Sequence, residues 1–200
     1  MSDLITAKRG RPGYDQRAIL DIAVAAFNEY GYDATSMGVL AARLDLSKAA
    51  IYHHFASKEE LLQLALDEAL TALEGVLREE GALEGSALDR LAYVLRGAVQ
   101  VLAAKLPSVT LLLRVRGNSQ VERDALTRRR AFDRVVSALV VEARDEGSLR
   151  SDVDARVVTR LLFGMVNSIT EWYRPEGPED GAQLADDVLT VALDGLRPRT

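Results

Sequence analysis

The segment SMGVLAARLDLSKAAIYHHFASKEELL, which runs from Ser36 to Leu62, decides the fold of this chain. Its apolar residues recur at intervals of three and four, which is the period of an α-helix and not of a strand. The spacing predicts two short helices, at about 36–43 and about 47–54, joined by a tight turn around Asp45. Two short helices connected in this way have the dimensions of a helix-turn-helix.

The second of these helices separates apolar from polar side chains. Successive helical residues lie about 100° apart, so Ile51 and Phe55 share an inward face. Lys48 and Tyr52 share an outward row, and His53 belongs to the next row. No acidic residue interrupts these outward rows, which therefore suit the phosphate-lined groove of DNA.

The outward side chains also suit contacts to bases. Lys48 can reach the acceptors of a guanine, and Ala49 can contact a thymine methyl group. Tyr52 and the two histidines, His53 and His54, can donate hydrogen bonds to phosphates. The sequence therefore favours a helix that enters the major groove.

His53 and His54 are the only histidines in the chain, and other roles for them are open. Adjacent helical histidines point in different directions and cannot chelate one ion, and the H-E-x-x-H spacing of zinc helices is missing. A nucleophile at Ser47 or Ser57 lacks the sequence of a nucleophile elbow. The remaining alternative is an ordinary solvated helix surface.

The composition bounds the class of protein. The chain has 200 residues, of which 48% are hydrophobic and 28% charged, and it has no cysteine. The lack of cysteine excludes disulfides and thiolate metal sites. No apolar run approaches the roughly 18 residues of a membrane span, and no signal peptide is evident. We expect a cytoplasmic protein without a membrane segment.

The net charge of −5 is distributed unevenly. Residues 1–58 hold seven basic and six acidic side chains, whereas residues 59–200 hold 18 basic and 24 acidic ones. Such an asymmetry suits a small DNA-facing module attached to a larger acidic body.

Helical periodicity continues beyond this segment and predicts an all-α chain with about nine helices. Gly31 is expected to end the first helix in a left-handed cap. Beyond the expected break at EEGALEGS, helices are predicted at about 86–105 and 152–173, with a short apolar segment at 109–115. A long helix is predicted to follow GNSQ and to end near Gly147, and a last helix to follow Pro178 and to run to about Leu196.

The stretch from Gly31 to Leu62 resembles the DNA-binding domain of TetR-family transcriptional regulators. The matching elements are ATSM at the start of the second helix, SKAAIYHHF as recognition helix and SKEELL at the start of the fourth. RAILDIAVAAFNEYGYDAT fits the first helix of that family. The resemblance implies a homodimer that reads a palindromic DNA operator, usually as a repressor released by a small ligand.

The resemblance also implies a domain organisation. Residues 1–12 are expected to form a flexible basic arm, residues 13–58 an N-terminal three-helix helix-turn-helix DNA-binding domain, and residues 59–200 a larger helical ligand-binding and dimerisation domain. The last two long helices are expected to pair with those of a second copy, because a palindromic operator requires two-fold symmetry.

Two positions depart from the family pattern. Asp45 stands where the turn usually has glycine, and aspartate tolerates the left-handed conformation better than most residues. Gly38 stands where many relatives have a longer polar side chain directed at a base. Since Ala49 and Ala50 are also small, few side chains are available to read bases, and phosphate contacts, Lys48 and the arm are expected to supply most of the discrimination.

The arm contains the sequence AKRGRPG, residues 7–13. Its R-G-R-P unit resembles AT-hook peptides, which lie in narrow A·T minor grooves; a solubilising tail is the alternative. Ser36 and Lys58 are assigned to phosphates by the family resemblance. The predicted DNA-binding residues are Lys8, Arg9, Arg11, Ser36, Lys48, Ala49, Tyr52, His53, His54 and Lys58.

A second stretch, FGMVNSITEWYRPEGP at residues 163–178, is similar to the C-terminal segment of TetR-type regulators that respond to acyl-CoA thioesters. Those relatives bury the acyl chain among helices and place arginines on the CoA phosphates. The candidates for this role here are Arg114, Arg116 and the run Arg128 to Arg130. The predicted ligand-binding residues are Arg114, Arg116, Arg128, Phe163, Asn167, Trp172 and Tyr173. A different apolar or aromatic effector, or none, remains open; Phe163 and Trp172 would then pack in the core or at a dimer interface.

No catalytic constellation is evident in residues 60–200, which contain neither histidine nor cysteine. We expect no enzyme activity, no cofactor and no metal. A helical protein-interaction module without DNA binding and an unrecognised enzyme are the competing functions.

Overall fold

The computed structural model describes residues 15–178 and 180–197, and these residues form ten α-helices and no strand. The prediction of an all-α fold is therefore confirmed. The chain divides between Leu61 and Leu62 into two compact units.

The first unit contains α1 (Gln16–Tyr30), α2 (Met37–Leu44), α3 (Lys48–His54) and the start of α4 (Lys58–Val76). Its helices begin at side-chain caps: Asp15, Ser36 and Ser47 accept backbone N–H groups in the first turns of α1, α2 and α3. Such caps satisfy amides that have no partner within the helix. The side chains buried between these helices include Ile19, Ala23, Phe27, Leu40, Leu44, Ile51, Phe55 and Leu61.

Asp45 forms the turn between α2 and α3. Its backbone has φ 52° and ψ 42°, and among the described residues it is the only non-glycine residue with positive φ. Its amide donates to the carbonyls of Ala41 and Ala42. The expected left-handed turn with aspartate is therefore present. Gly31 also has positive φ, 87°, but its ψ of 150° is extended, so α1 does not end in the expected left-handed cap.

The second unit contains the rest of α4 and six further helices. These are α5 (Glu80–Leu83), α6 (Ala87–Ala104), α7 (Leu106–Arg114), α8 (Gln120–Asp145), α9 (Ala155–Trp172) and α10 (Gly181–Asp194). α6 lies at the centre of this unit and contacts α5, α7, α8, α9 and α10. Its apolar face, with Leu91, Val94, Leu95 and Val99, is buried in the core.

α5 occupies the segment where the sequence predicts a helix break. A Cβ atom at Gly81 would overlap the ring of Tyr93, so the ring packs directly on the backbone of α5. The Tyr93 hydroxyl also donates to the carboxylate of Glu79. This contact with α6 stabilises a short helix that local propensity does not favour.

Two other helix limits differ from the sequence prediction. Most of the apolar segment at 109–115 belongs to α7. Pro107 lies in the first turn of this helix, where a backbone amide would have no partner within the helix, so proline is tolerated. α9 begins three residues later than expected because Asp154, rather than Asp152, accepts the amide of Arg156 and caps the helix.

Within the described residues, no helix taken alone has both the length and the apolarity to cross a membrane. α6 and α7 taken together do satisfy the criteria of length and composition, but their axes differ by 104° at the break between them.

Candidate functional site

The polar side of α3 is the first candidate site. Ser47 caps the helix by accepting the amide of Ala50 at 3.1 Å, while the buried Ile51 and Phe55 hold its inner face. The side chains predicted to contact DNA lie on the opposite side. Lys48, Ala49, Tyr52 and His53 are exposed, and His54 is half-buried.

Lys48 lies across the start of α2. A Cβ atom built at Gly38 would be 3.0 Å from Cε and 3.3 Å from Nζ of Lys48, and 3.4 Å from Oγ of Ser36. The missing side chain of Gly38 therefore leaves the space that Lys48 occupies. The sequence alone suggests that Gly38 only removes a side chain from the DNA interface, whereas the structure places a cation over it.

Lys58 and Ser36, which the resemblance assigns to phosphates, also take part in the fold. The Lys58 ammonium donates to the carbonyl of Tyr32 at 2.9 Å and lies 4.1 Å from the centre of the Tyr32 ring, a cation–π distance. Ser36 Oγ accepts the amide of Val39 at 3.2 Å. Lys8, Arg9 and Arg11 lie outside the described residues.

Other cations of the first unit are bound to acids. Arg43 pairs with the carboxylate of Glu29 and lies over the ring of Tyr30. Hydrogen bonds from Tyr30 and Arg43 lower the pKa of the Glu29 carboxyl. Arg17 pairs with Asp21 at 3.0 Å. These two arginines are therefore partly neutralised, unlike the side chains on the outer rows of α3.

A cavity of about 50 Å³ in the second unit is the second candidate site. α4, α6, α7, α8 and α9 each contribute side chains to its wall. The wall consists of Leu73, Ala98, Leu102, Val109, Leu112, Leu113, Arg129, Phe132, Asp133, Phe163, Val166 and Asn167. It is apolar except for the arginine, the aspartate and the asparagine.

A wider, polar cleft of about 350 Å³ adjoins this cavity. Leu113, Arg129 and Asn167 line both spaces. The cleft is completed by Thr110, Arg114, Ser168, Thr170 and Glu171. An apolar space and a polar space therefore meet at Arg129 and Asn167.

Arg129 and Asp133 are half-buried and make no hydrogen bond or ion pair with any residue that the structure describes. Burial raises the pKa of the Asp133 carboxyl, against the opposing effect of the positive charges of Arg129 and Arg134. Partly buried charged groups usually have partners, so this arrangement is suited to a polar ligand.

The predicted ligand-binding residues lie in different places. Phe163 and Asn167 line the cavity, and Asn167 and Arg114 line the cleft. Arg116 is exposed in the loop after α7. Tyr173 is buried at the end of α9, near Gly181.

Arg128 and Trp172 do not fit the predicted ligand site. The Arg128 guanidinium donates to Asp67 and to Glu74, and it lowers the pKa of the Glu74 carboxyl. Trp172 is 49% exposed at the end of α9. Their assignment to the ligand stays a prediction that these contacts do not support.

From the sequence, Arg129 is a candidate only as part of the run Arg128 to Arg130, and Asp133 is not a candidate. α8 nevertheless contains a signal for Arg129. Buried residues of α8 lie along a stripe on one face of the helix, at 122, 125, 132, 136, 139, 140 and 143. Arg129 falls on this stripe between Ala125 and Phe132, at a position where an apolar residue is expected. A cation on the inward stripe of an amphipathic helix points to a site.

Known protein families match segments in both units of the chain. Residues 19–65 match the family described as bacterial regulatory proteins, tetR family. Residues 84–196, more than half of the chain, match the family described as tetracyclin repressor-like, C-terminal domain. The HTH-type transcriptional repressor KstR2 of Rhodococcus jostii is 27% identical, and the match covers 98% of this chain and 95% of that protein.

Two solved structures are also similar. SCO3833, a member of the TetR transcriptional regulator family from Streptomyces coelicolor A3, is 50% identical with a TM-score of 0.84, covering 96% of this chain and 94% of that chain. AibR in complex with isovaleryl coenzyme A and operator DNA is 25% identical with a TM-score of 0.71, covering 88% of this chain and 96% of that chain. Since family matches extend over both the helix-turn-helix and the helical body, this chain belongs to the TetR family of transcriptional regulators.

Proposed function

We propose that this protein is a transcriptional repressor that binds a palindromic operator as a homodimer and is released by a small effector. The observation that carries the proposal is the exposed row of Lys48, Tyr52 and His53 on a capped helix whose other face is buried. Similar proteins are named as repressors, among them KstR2. AibR is described with both operator DNA and an acyl-CoA.

In this proposal α3 is the recognition helix. Lys48 reads a guanine edge, Ala49 contacts a thymine methyl, and Tyr52 donates to the phosphate backbone together with His53, His54, Ser36 and Lys58. The arm cations Lys8, Arg9 and Arg11 add contacts in the minor groove. Residues 1–12, 13–58 and 59–200 then serve as arm, DNA-binding domain and effector and dimerisation domain.

An apolar face on α9 supports the homodimer. Val157, Leu161 and Trp172 are 45%, 64% and 49% exposed. They lie within about 60° of one another around the helix axis. Val191 of α10 is 66% exposed. Large exposed apolar side chains aligned on one helix face favour a partner helix, and a second copy supplies the two-fold symmetry that a palindrome requires.

The cavity between α4 and α9 is the proposed effector site, and an acyl-CoA thioester is the proposed effector class. The apolar wall suits an acyl chain, and Arg114 and Arg129 suit an anionic carrier. Another apolar or aromatic molecule is the alternative. Release requires only that the effector binds more tightly to the form that does not fit the operator.

In this proposal the protein has no enzyme activity, and it is located in the cytoplasm, where the operator DNA lies. The described residues contain no group of three or more potential metal ligands among His, Cys, Asp and Glu. A protein-interaction module that lacks DNA binding is the competing function, and the following experiment separates the two.

The test compares the wild-type protein with a variant carrying Lys48→Ala and Tyr52→Phe. Binding to DNA fragments from its own genomic neighbourhood is measured by fluorescence anisotropy at several salt concentrations. We expect affinity to fall about 10- to 100-fold at each salt concentration, because the variant loses the guanine contact of Lys48 and the hydrogen bond from the Tyr52 hydroxyl to a phosphate. Arg78→Ala, which removes an exposed cation near the end of α4, is the matched control and should bind as wild type. Equal affinity of the double variant and the wild type, or no wild-type binding at low salt, would refute the proposal.

A further inference from the structure

Arg129 has a position that the fold alone does not explain. Of the neighbouring arginines on α8, Arg128 is bound to Asp67 and Glu74, and Arg130 is exposed to solvent. Arg129 is half-buried at the boundary of the apolar cavity and the polar cleft, without a hydrogen bond or ion pair to the part of the chain that the structure describes. A guanidinium in such a place binds anions and carbonyl oxygens well, because its donors form a rigid fork.

The size of the apolar cavity limits what can enter it. About 50 Å³ holds roughly three to five water-sized groups. A branched or linear chain of about three to five carbon atoms therefore fits without movement of the wall. A four-ring steroid or a long acyl chain fits only if the buried side chains of Leu102, Leu112 and Phe132, which close the space, move.

The adjoining cleft has the opposite character. At about 350 Å³ it is several times larger, and its wall includes Thr110, Arg114, Ser168, Thr170 and the carboxylate of Glu171 as well as Arg129. A ligand that occupies both spaces has a small apolar end and a larger, polar, anionic remainder. Asp133, on the cavity side, adds an acceptor for an N–H or O–H group of the ligand near the junction.

We propose that the effector is a short-chain acyl thioester, with an acyl group of about three to five carbons in the cavity and a phosphate-bearing carrier in the cleft. Arg129 binds the ligand where the two parts join, and Arg114 lies along the anionic part. The proposal names the class of effector for the proposed repressor. The role of this ligand as a release signal rests on the proposed function, whereas binding of the ligand to the cavity and cleft does not depend on it.

The first measurement uses the full chain and a panel of ligands in isothermal titration calorimetry. The panel contains isovaleryl-CoA, palmitoyl-CoA, a steroid-acid CoA thioester, CoA alone and free isovalerate. We expect isovaleryl-CoA to bind at least 10-fold more tightly than each of the others. Tighter binding of the steroid or palmitoyl thioester would overturn the size argument, and equal binding of free isovalerate would overturn the need for the carrier.

Variants then test the roles of individual residues. Arg129→Gln should weaken isovaleryl-CoA binding at least 10-fold, whereas Arg130→Gln, the same change one position along α8, should leave it unchanged. Phe163→Leu should enlarge the cavity and shift the preferred acyl group to a longer chain. Equal effects of the two arginine variants, or an unchanged chain preference in Phe163→Leu, would contradict the proposal.

DNA binding without ligand separates this inference from the proposed function. If the wild-type protein and Arg129→Gln bind operator equally well but no thioester binds, only the effector class is wrong. If isovaleryl-CoA binds and no DNA does, the repressor function is wrong and the ligand site stands.

Discussion

At the scale of single residues, Gly38 and Lys48 show how an absent side chain can define a contact surface. Cε and Nζ of Lys48 lie 3.0 and 3.3 Å from the place where a Cβ atom at Gly38 would be, so the lysine occupies the space that the glycine leaves at the start of α2. We therefore expect Gly38 to act on DNA binding through the position of Lys48.

Gly38→Ala tests this relation. The added Cβ would lie 3.0 Å from Cε of Lys48, so the lysine must move and operator affinity should fall about 3- to 10-fold. Helix stability should rise by up to about 1 kcal/mol, because alanine favours the helix more than glycine. Anisotropy and thermal unfolding measure the two effects. Gly75→Ala, where a Cβ meets nothing within 4 Å, should add stability without changing affinity. Unchanged affinity in Gly38→Ala would exclude the relation.

The single residue Asp133 is expected to make the folding stability of the protein depend on pH. Because burial raises its folded-state pKa, ionisation is less favourable in the folded protein than in the unfolded chain. The contribution of Asp133 to stability is therefore complete below its ordinary pKa and is lost as the pH rises through the raised value.

Asp133→Asn should remove this loss. At pH 7 the variant should be more stable by about 1 kcal/mol, which raises the melting temperature by roughly 2–4 °C, and the gain should disappear near pH 4. Differential scanning fluorimetry across this range measures it. Asp33→Asn, at an exposed loop position, should show no such trend. A gain that is constant with pH would mean that the charge of Asp133 is not responsible.

At the scale of elements, one side chain fixes the connection between α7 and α8. Glu122 is 4% exposed, and its Oε2 atom accepts the amides of Arg116, Gly117 and Asn118 at 2.9, 2.7 and 3.1 Å. The carboxylate also lies in the first turn of α8, where negative charge is favourable. The loop is therefore tied to the helix that contains Arg129.

Glu122→Gln should weaken this connection, since an amide oxygen is a weaker acceptor than a carboxylate and its NH₂ group opposes the nearby donors. We expect unfolding free energy to fall by about 1.5–3 kcal/mol and the melting temperature by roughly 3–12 °C. Urea denaturation followed by circular dichroism measures the change. Glu84→Gln, at an exposed position, is the control. Equal stability of the two variants would show that the negative charge of Glu122 is not needed to hold the three loop amides.

The elements also show what could be predicted from the sequence. Helix starts at Ser36, Ser47 and Ser57 could be predicted, because a hydroxyl that caps a helix is a local signal. α5 could not, because it depends on the ring of Tyr93 from another helix. The different surroundings of two neighbouring arginines also depend on contacts between helices. Arg128 and Arg129 are adjacent and both border the apolar stripe of α8, and the packing of this helix places Arg128 among acids and Arg129 at the cavity.

At the scale of the whole molecule, the exposed face of α9 requires a partner. Stable interfaces bury about 1,200–2,000 Å² and have an apolar centre. Leu161 is 64% exposed and lies between Val157 and Trp172 on this face. We therefore expect Leu161 to lie near the centre of the contact between two copies.

Leu161→Asp should convert the dimer to a monomer without unfolding it, because the side chain is exposed within one copy. Operator affinity should fall when the dimer is lost, because each monomer then contacts one half-site alone. Sedimentation velocity measures the mass, and circular dichroism measures the helix content. Leu83→Asp, at a leucine of 63% exposure on α5, should remain dimeric. A dimeric Leu161→Asp variant would move the interface to another face.

The unpaired charges of Arg129 and Asp133 have a further consequence for the cellular lifetime of the protein. A ligand that pairs with them adds to the free energy of the folded state by mass action. Cellular proteases degrade chains mainly through their unfolded fraction. We therefore expect turnover to slow while the effector is abundant, so that a reserve of regulator persists and shuts the genes off quickly when the metabolite is consumed.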